Sequence, residues 1–179
     1  VLFPFGYGLS YTTFHYDNAK LIVDGQSVSS VAVNTASGND INVIPAISAK
    51  SEDKIQISVD ITNTGDREGQ EIVQLYVKNA VCEEIRPEQE LRNFAKVSLQ
   101  PGETKTIVFD LDERAFAYYN TQIHDWYAPS GDYEILISAS SRDVRQKLIL
   151  RLENTKKLPF MVTDISSCGD VYSLANDPS

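Results

Sequence analysis

The sequence predicts an all-β fold in which two sheets of antiparallel strands pack as a sandwich. Short apolar stretches separated by turn residues recur from about residue 18 to residue 152, and no long amphipathic helix interrupts them. The clearest stretch is residues 54–62, where apolar and polar side chains alternate. A period of two buries one face of a strand and leaves the other in water, as each layer of a sandwich requires.

The strands follow one another with recognisable turns between them. The first turn is predicted at residues 63–66, where we expect Gly65 to supply a positive φ and Asn63 to bond its own backbone. A Pro101-Gly102 turn is expected to follow the third strand. After residues 54–62, the predicted strands are residues 70–78, 94–99, 104–111, 132–139 and 145–152.

The connections between these strands are predicted from local chemistry. Residues 80–89 lack alternation and contain Pro87, so we expect an irregular connection there. Asp112 is expected to cap a short helical turn that ends at Phe116, because its carboxylate can accept a hydrogen bond from a free backbone N–H group. Residues 118–127 are expected to form a hairpin.

Two stretches are predicted to lie outside the core of the sandwich. Residues 24–53 are polar and small, with short valine and isoleucine pairs, and we interpret them as an insertion with one or two edge strands. Residues 154–179 contain a lysine pair, Pro159 and Gly169, which is a linker composition.

The first sixteen residues differ in composition from the rest of the chain. They contain two glycines, one proline and six aromatic residues, with neither helical nor strand periodicity. Such a segment is typical of a rigid loop that needs a surface to pack against. We interpret residues 1–16 as the trailing end of a larger domain that precedes the sandwich.

Five blocks of sequence, in order along the chain, resemble the glycoside hydrolase family 3 enzymes. In that family, a similar aromatic run closes the second catalytic domain and leads into a fibronectin type III-like domain. The fifth block has Ser130 where the family usually has proline. The blocks are residues 4–14 (PFGYGLSYTTF), 59–77 (VDITNTGDREGQEIVQLYV), 86–94 (RPEQELRNF), 99–103 (LQPGE) and 130–133 (SGDY).

The resemblance covers residues 2–153 and implies a domain organisation. Residues 1–16 would end an α/β catalytic domain, and residues 17–153 would form a fibronectin type III-like, immunoglobulin-like sandwich. Residues 154–179 would be a linker. In the subset of the family with reversed domain order, such a linker leads into the catalytic barrel, and we favour that order here.

The resemblance also implies what the chain does. Family 3 enzymes hydrolyse β-linked glycosides with retention, using two carboxyl groups. The aspartate nucleophile lies on the barrel and the glutamate acid/base usually lies in the second domain, so both fall outside the matched blocks. We therefore expect no catalytic residue in this chain. We also expect no bound metal or cofactor, because two cysteines and two histidines at wide spacing do not form a zinc site and no phosphate-loop motif is present. The parent protein is expected to be a β-glucosidase, or else a β-xylosidase, with this chain as its inactive accessory domain.

One aromatic cluster offers a candidate sugar contact, because aromatic faces provide flat apolar area with a polar edge. A carbohydrate-binding module that takes β-glycan is thus the alternative function. The other interpretation of the cluster is structural: Trp126 fills the end of the sandwich and the tyrosines cover it. We interpret the neighbouring His124-Asp125 as a turn and not as a catalytic dyad, because adjacent residues in a hairpin rarely face each other. The cluster consists of Tyr118, Tyr119, Trp126 and Tyr127.

A second set of residues is a candidate contact with the neighbouring catalytic domains of the same polypeptide. In the isolated chain, its exposed aromatic side chains are expected to favour self-association. The basic member of the set could alternatively lie in an exposed mobile loop. The set consists of Phe3, Phe5, Tyr7, Tyr11, Phe14 and Arg86.

Composition excludes several classes of partner. The formal net charge of −9 disfavours nucleic acid and anionic membrane surfaces, and no apolar run is long enough to span a bilayer. Cys82 and Cys168 are the only cysteines, and either a disulfide or two free thiols fits them. Two free thiols and the absence of a visible leader slightly favour the cytoplasm over secretion, although residue 1 falls within a motif and the chain is expected to be a fragment.

Overall fold

The computed structural model describes residues 10–29, 31–32, 46–79, 89–120 and 123–155. These residues are almost entirely β-strand, with one 3-10 turn at Glu113–Ala115. None of their helical residues forms a helix long and apolar enough to cross a membrane. The strands are β1 (Phe14–Val23), β2 (Gln26–Ser29), β3 (Val31–Ala32), β4 (Ala46–Lys50), β5 (Ile55–Asn63), β6 (Gly69–Asn79), β7 (Glu90–Leu99), β8 (Thr104–Leu111), β9 (Tyr118–Asn120), β10 (Asp125–Tyr127), β11 (Gly131–Ser140) and β12 (Asp143–Glu153).

The strands form two main sheets and one small hairpin. The first sheet has the order β2-β1-β5-β8, and all its pairings are antiparallel. The second has the order β12-β11-β6-β7, with β3 and β4 both paired to β12 and β4 running parallel to it. The hairpin consists of β9 and β10. The predicted all-β, two-sheet sandwich is confirmed.

The hydrophobic core lies between the two main sheets. Leu21 and Ile57 of the first sheet and Ile135 and Leu148 of the second are fully buried in one cluster. Strand β5 shows the cause, since its residues alternate between buried and half-buried along its whole length. The apolar residues of the alternating pattern therefore form the face of β5 that packs against the other sheet.

The sandwich has two ends, and the chain enters and leaves at opposite ones. At the junction end, the strand partners Phe14 and Asn63 lie near Gly69 and Leu99. At the hairpin end, β8 stops at Leu111 and β11 starts at Gly131. The chain passes into β1 at the junction end, whereas Asn154 follows β12 at the hairpin end and its backbone N–H donates to the Ser130 hydroxyl (2.9 Å).

Several strand limits differ from the expected ones. Strand β7 starts at Glu90, four residues earlier than predicted, because a register shift leaves Arg92 without a partner on β6 and hides the alternation. Residues 24–53 contain β2, β3 and β4 rather than one or two strands. Strand β1 starts at Phe14, inside the segment interpreted as the end of a preceding domain. The 3-10 turn has the predicted cap, since Asp112 Oδ1 accepts from the Ala115 N–H group.

Candidate functional site

Asn63 is the centre of the junction end. Its side chain is fully buried, and its amide makes four hydrogen bonds. Nδ2 donates to the carbonyls of Arg67 (2.7 Å) and Leu99 (3.0 Å). Oδ1 accepts from the Thr12 hydroxyl (2.7 Å) and from the Gly65 N–H group (3.0 Å). One amide thus ties the incoming chain to the β5–β6 turn and to the end of β7.

Two glycines bring the incoming segment close to that turn. A Cβ atom at Gly65 would lie 2.1 Å from Thr12 Oγ1, and one at Gly69 would lie 2.3 Å from Thr12 Cγ2 and 3.0 Å from Phe14 Cζ. The expectation of a positive φ at Gly65 is wrong, since its φ is not positive. In the following turn, Gly102 does have a positive φ, of 73°. Gly65 is required instead by the close approach of Thr12. The predicted bond of Asn63 to its own turn is confirmed.

The predicted interdomain contacts are described only in part. Tyr11 is 91% exposed, and Phe14 is partly buried against the core. Phe3, Phe5, Tyr7 and Arg86 lie outside the described residues, as do Cys82 and Cys168. Self-association through the aromatic segment stays a prediction.

A polar cluster near the junction end was not found from the sequence. The hydroxyl of the buried Tyr16 donates to Glu71 Oε1 (2.7 Å), and the Arg145 guanidinium lies 5.6 Å from the Tyr16 ring centre. Arg145 is also paired with Asp143 (2.7 Å). The residues come from three strands that are distant in sequence, and no spacing rule connects them. Burial raises the pKa of Glu71, while the Tyr16 hydrogen bond and Arg145 oppose that rise.

The raised pKa of Glu71 predicts a pH effect on stability. Between its unfolded and folded pKa values, the unfolded chain loses the Glu71 proton first, so folding is favoured less as the pH rises through that window. Glu71→Gln removes this dependence and keeps an acceptor for Tyr16. We expect the stability of the wild type, relative to Glu71→Gln, to be greater at pH 4 than at pH 7. Urea unfolding of both proteins at the two pH values measures this difference in the free energy of unfolding. An equal difference at pH 4 and at pH 7 would contradict the prediction.

The β9–β10 hairpin carries the predicted aromatic cluster as two edge-to-face pairs. Tyr118 and Tyr127 are 6.2 Å apart between ring centres, and Tyr119 and Trp126 are 6.0 Å apart. The residues of each pair are opposite one another in the register, so the two pairs lie on opposite faces of the hairpin. The structure therefore brings all four predicted residues together.

Trp126 does not fill the end of the sandwich. It is 40% exposed and Tyr119 is 50% exposed, so the structural interpretation of this pair is wrong. The end of the core is filled instead by Phe116 and Tyr133, which are both buried and meet edge to face at 5.2 Å. The Arg114 guanidinium lies 4.8 Å from the centre of the Trp126 ring. This is a cation–π contact at the protein surface.

Other candidate chemistry is not supported by the described part of the chain. His124 lies in the turn of the hairpin with a φ of 51° and an exposed side chain. No group of three or more histidine, cysteine, aspartate or glutamate side chains that could hold a metal ion occurs among the described residues.

Comparison with known proteins identifies the sandwich. The family model of the fibronectin type III-like domain matches residues 71–141. Over residues 71–141, the sandwich is a fibronectin type III-like domain. The chain is 45% identical to thermostable β-glucosidase B of Acetivibrio thermocellus over 96% of its length and 20% of that protein. It is 38% identical to an exo-α-(1→6)-L-arabinopyranosidase of Bifidobacterium breve over 86% of its length and 17% of that protein.

Solved structures that resemble the fibronectin type III-like domain also come from glycosidases. The family 3 β-glucosidase of Bifidobacterium adolescentis matches 90% of this chain with a TM-score of 0.68 and 32% identity, and the match covers 20% of that protein. The β-D-glucoside glucohydrolase of Trichoderma reesei matches 83% with a TM-score of 0.63 and 32% identity, also using 20% of its chain. The chain thus spans about a fifth of the length of each of these proteins and corresponds to one part of larger glycosidases.

Proposed function

We propose that this fibronectin type III-like domain braces the catalytic domains of a family 3 glycoside hydrolase. The observation that carries the proposal is the Asn63 amide, which fixes the incoming chain to the sandwich through Thr12. A segment held by a buried hydrogen-bond network has a defined direction where it leaves the domain. The exposed Tyr11, one residue earlier, is then available to pack against the domain that precedes it.

The relatives support a role that does not depend on the sugar. Proteins named as β-glucosidases and two named as arabinopyranosidases share this region with the chain. A domain that is common to enzymes of different named specificity is better suited to bracing than to recognising the sugar that is cleaved. The parent activity that we propose is retaining hydrolysis of β-glucosides, carried out by residues outside this chain.

The test uses the full-length enzyme together with this chain. Replacing residues 17–153 in the enzyme by a flexible Gly/Ser linker is expected to lower its melting temperature and its hydrolysis of an aryl β-glucoside. This chain alone is expected to have no such activity. Turnover by this chain, or an undiminished melting temperature and activity in the deletion variant, would overturn the proposal.

A second candidate function follows from the exposed aromatic pair. Trp126 and Tyr119 present ring surface to solvent on one face of the hairpin. Exposed aromatic surface of this kind can stack on a sugar ring, so we propose β-glycan binding by the hairpin as the alternative to bracing alone.

A further inference from the structure

A cleft of about 330 Å³ opens beside the aromatic hairpin. Strand β7 is the outer strand of the second sheet and β8 is the outer strand of the first. The cleft lies where these two edges face each other, close to the 3-10 turn at the hairpin end. Its polar lining consists of Arg92 and Asn93 from β7, and Asp110, Asp112 and Arg114 from the end of β8 and the turn.

The bulge in β7 supplies Arg92 to the cleft. Leu75 pairs with Asn93 and Tyr76 pairs with Leu91, so Arg92 is the extra residue between two register positions. A bulge of this kind redirects a side chain at a sheet edge. Arg92 is paired with Glu90, yet its buried Nε–H donor has no acceptor among the described residues. The guanidinium therefore has one donor that the described residues leave unpaired.

Arg114 joins the cleft to the aromatic hairpin. The same guanidinium lines the cleft and lies 4.8 Å from the centre of the Trp126 ring. The polar wall and the exposed indole are therefore neighbouring parts of one surface. A ligand that lies against both would meet an apolar platform on one side and hydrogen-bonding groups on the other.

The charges of the cleft indicate a neutral ligand. Its lining contains two arginines and two aspartates, so neither an anion nor a cation would be favoured overall. Asp110 Oδ1 accepts from Gln56 Nε2 (2.7 Å) and Asp112 Oδ1 caps the turn. The Oδ2 atoms of these carboxylates accept no hydrogen bond from the described residues. Carboxylate acceptors and guanidinium donors side by side fit hydroxyl groups, which both donate and accept.

We propose that the cleft and Trp126 together form one binding site for a neutral oligosaccharide. The proposal deepens the second candidate function, on which it rests, and it adds the cleft as the part that recognises hydroxyl groups. One sugar ring stacks on the exposed part of Trp126, and the next lies in the cleft against Arg92, Asp110 and Asp112. An acidic polysaccharide is not bound, because the cleft offers no net positive charge to its carboxylates and the chain as a whole carries a formal net charge of −9.

The experiment is affinity electrophoresis of the full 179-residue chain in gels that contain soluble cereal β-glucan or polygalacturonate. We expect retardation by β-glucan and not by polygalacturonate. Trp126→Ala abolishes the retardation, and Arg92→Gln weakens binding by about tenfold, the effect of one hydrogen bond to a charged group. Tyr11→Ala removes an exposed aromatic side chain at the opposite end, and we expect the ratio of its mobilities with and without β-glucan to equal that of the wild type.

The two levels of the proposal fail differently. Trp126 is the only tryptophan in the sequence, so its fluorescence during titration with cello-oligosaccharides reports on this site alone. Loss of binding in Trp126→Ala with full binding in Arg92→Gln would overturn the role of the cleft and leave the hairpin function standing. No retardation and no fluorescence change in the wild type would overturn both. Urea unfolding of each variant shows that it is folded.

Discussion

Asn63→Ala is expected to lower the free energy of unfolding by about 3–4 kcal/mol. The change removes four hydrogen bonds at once and leaves two carbonyls, one N–H group and one hydroxyl without their partner. Each buried polar group left unpaired costs about 1–3 kcal/mol, although water that enters the site recovers part of this. Domains of this size have about 5–15 kcal/mol in total, so the variant is expected to be only marginally folded at 37 °C.

Urea unfolding followed by circular dichroism measures this loss as a shift in the midpoint. Gln56→Ala is the matched control, because it also removes a side-chain amide but breaks only one exposed hydrogen bond, to Asp110. We expect that control to change stability by less than about 0.5 kcal/mol. If Asn63→Ala and Gln56→Ala shift the midpoint equally, the Asn63 network does not hold the junction end together.

Gly69→Ala is expected to destabilise the domain by about 2 kcal/mol, and Thr12→Ser is expected to recover most of this loss. The new Cβ atom at residue 69 would lie 2.3 Å from Thr12 Cγ2, which is far inside van der Waals contact. Serine at residue 12 removes that methyl group and keeps the hydroxyl that donates to Asn63. The second close neighbour, Phe14 Cζ at 3.0 Å, is the far end of a side chain and can move aside.

Gly65→Ala provides the contrast. Its Cβ atom would meet Thr12 Oγ1 at 2.1 Å, and this oxygen remains in Thr12→Ser. We therefore expect Thr12→Ser to suppress the defect of Gly69→Ala and not that of Gly65→Ala in a double-mutant cycle of unfolding free energies. Suppression of both, or of neither, would mean that the incoming segment does not lie where the structure places it.

The sequence was sufficient for the layers of the fold because the strands are amphipathic. The alternation at Ile55, Ile57, Val59 and Ile61 matches the buried face of β5 one residue at a time. It was insufficient where a strand departs from that period. At β7 the bulge at Arg92 shifts the register, so the start of the strand reads as a loop.

The candidate sites were predictable to different degrees. The four aromatic residues of the hairpin are close in sequence, so their grouping followed from a short-range pattern. Their exposure did not, because nothing local shows that Phe116 and Tyr133, rather than Trp126, fill the core. The Tyr16–Glu71–Arg145 cluster and the cleft join strands that are distant in the chain. Such contacts depend on how the sheets face each other, which no local pattern contains.

The opposite positions of Thr12 and Asn154 give the domain a mechanical character. Strand β12 alone spans eleven residues, or about 36 Å in extended form. The sandwich therefore sets a fixed spacing between a segment attached at the junction end and one attached at the hairpin end. Tension applied there pulls β1 and β12 lengthwise in opposite directions. This loads the ladder between β1 and β5 and the ladder between β12 and β11 in shear, so that their hydrogen bonds do not break one at a time. Single-molecule stretching should show one high-force rupture, and stepwise low-force peeling would contradict this. A domain built in this way is expected to resist stretching between its two ends.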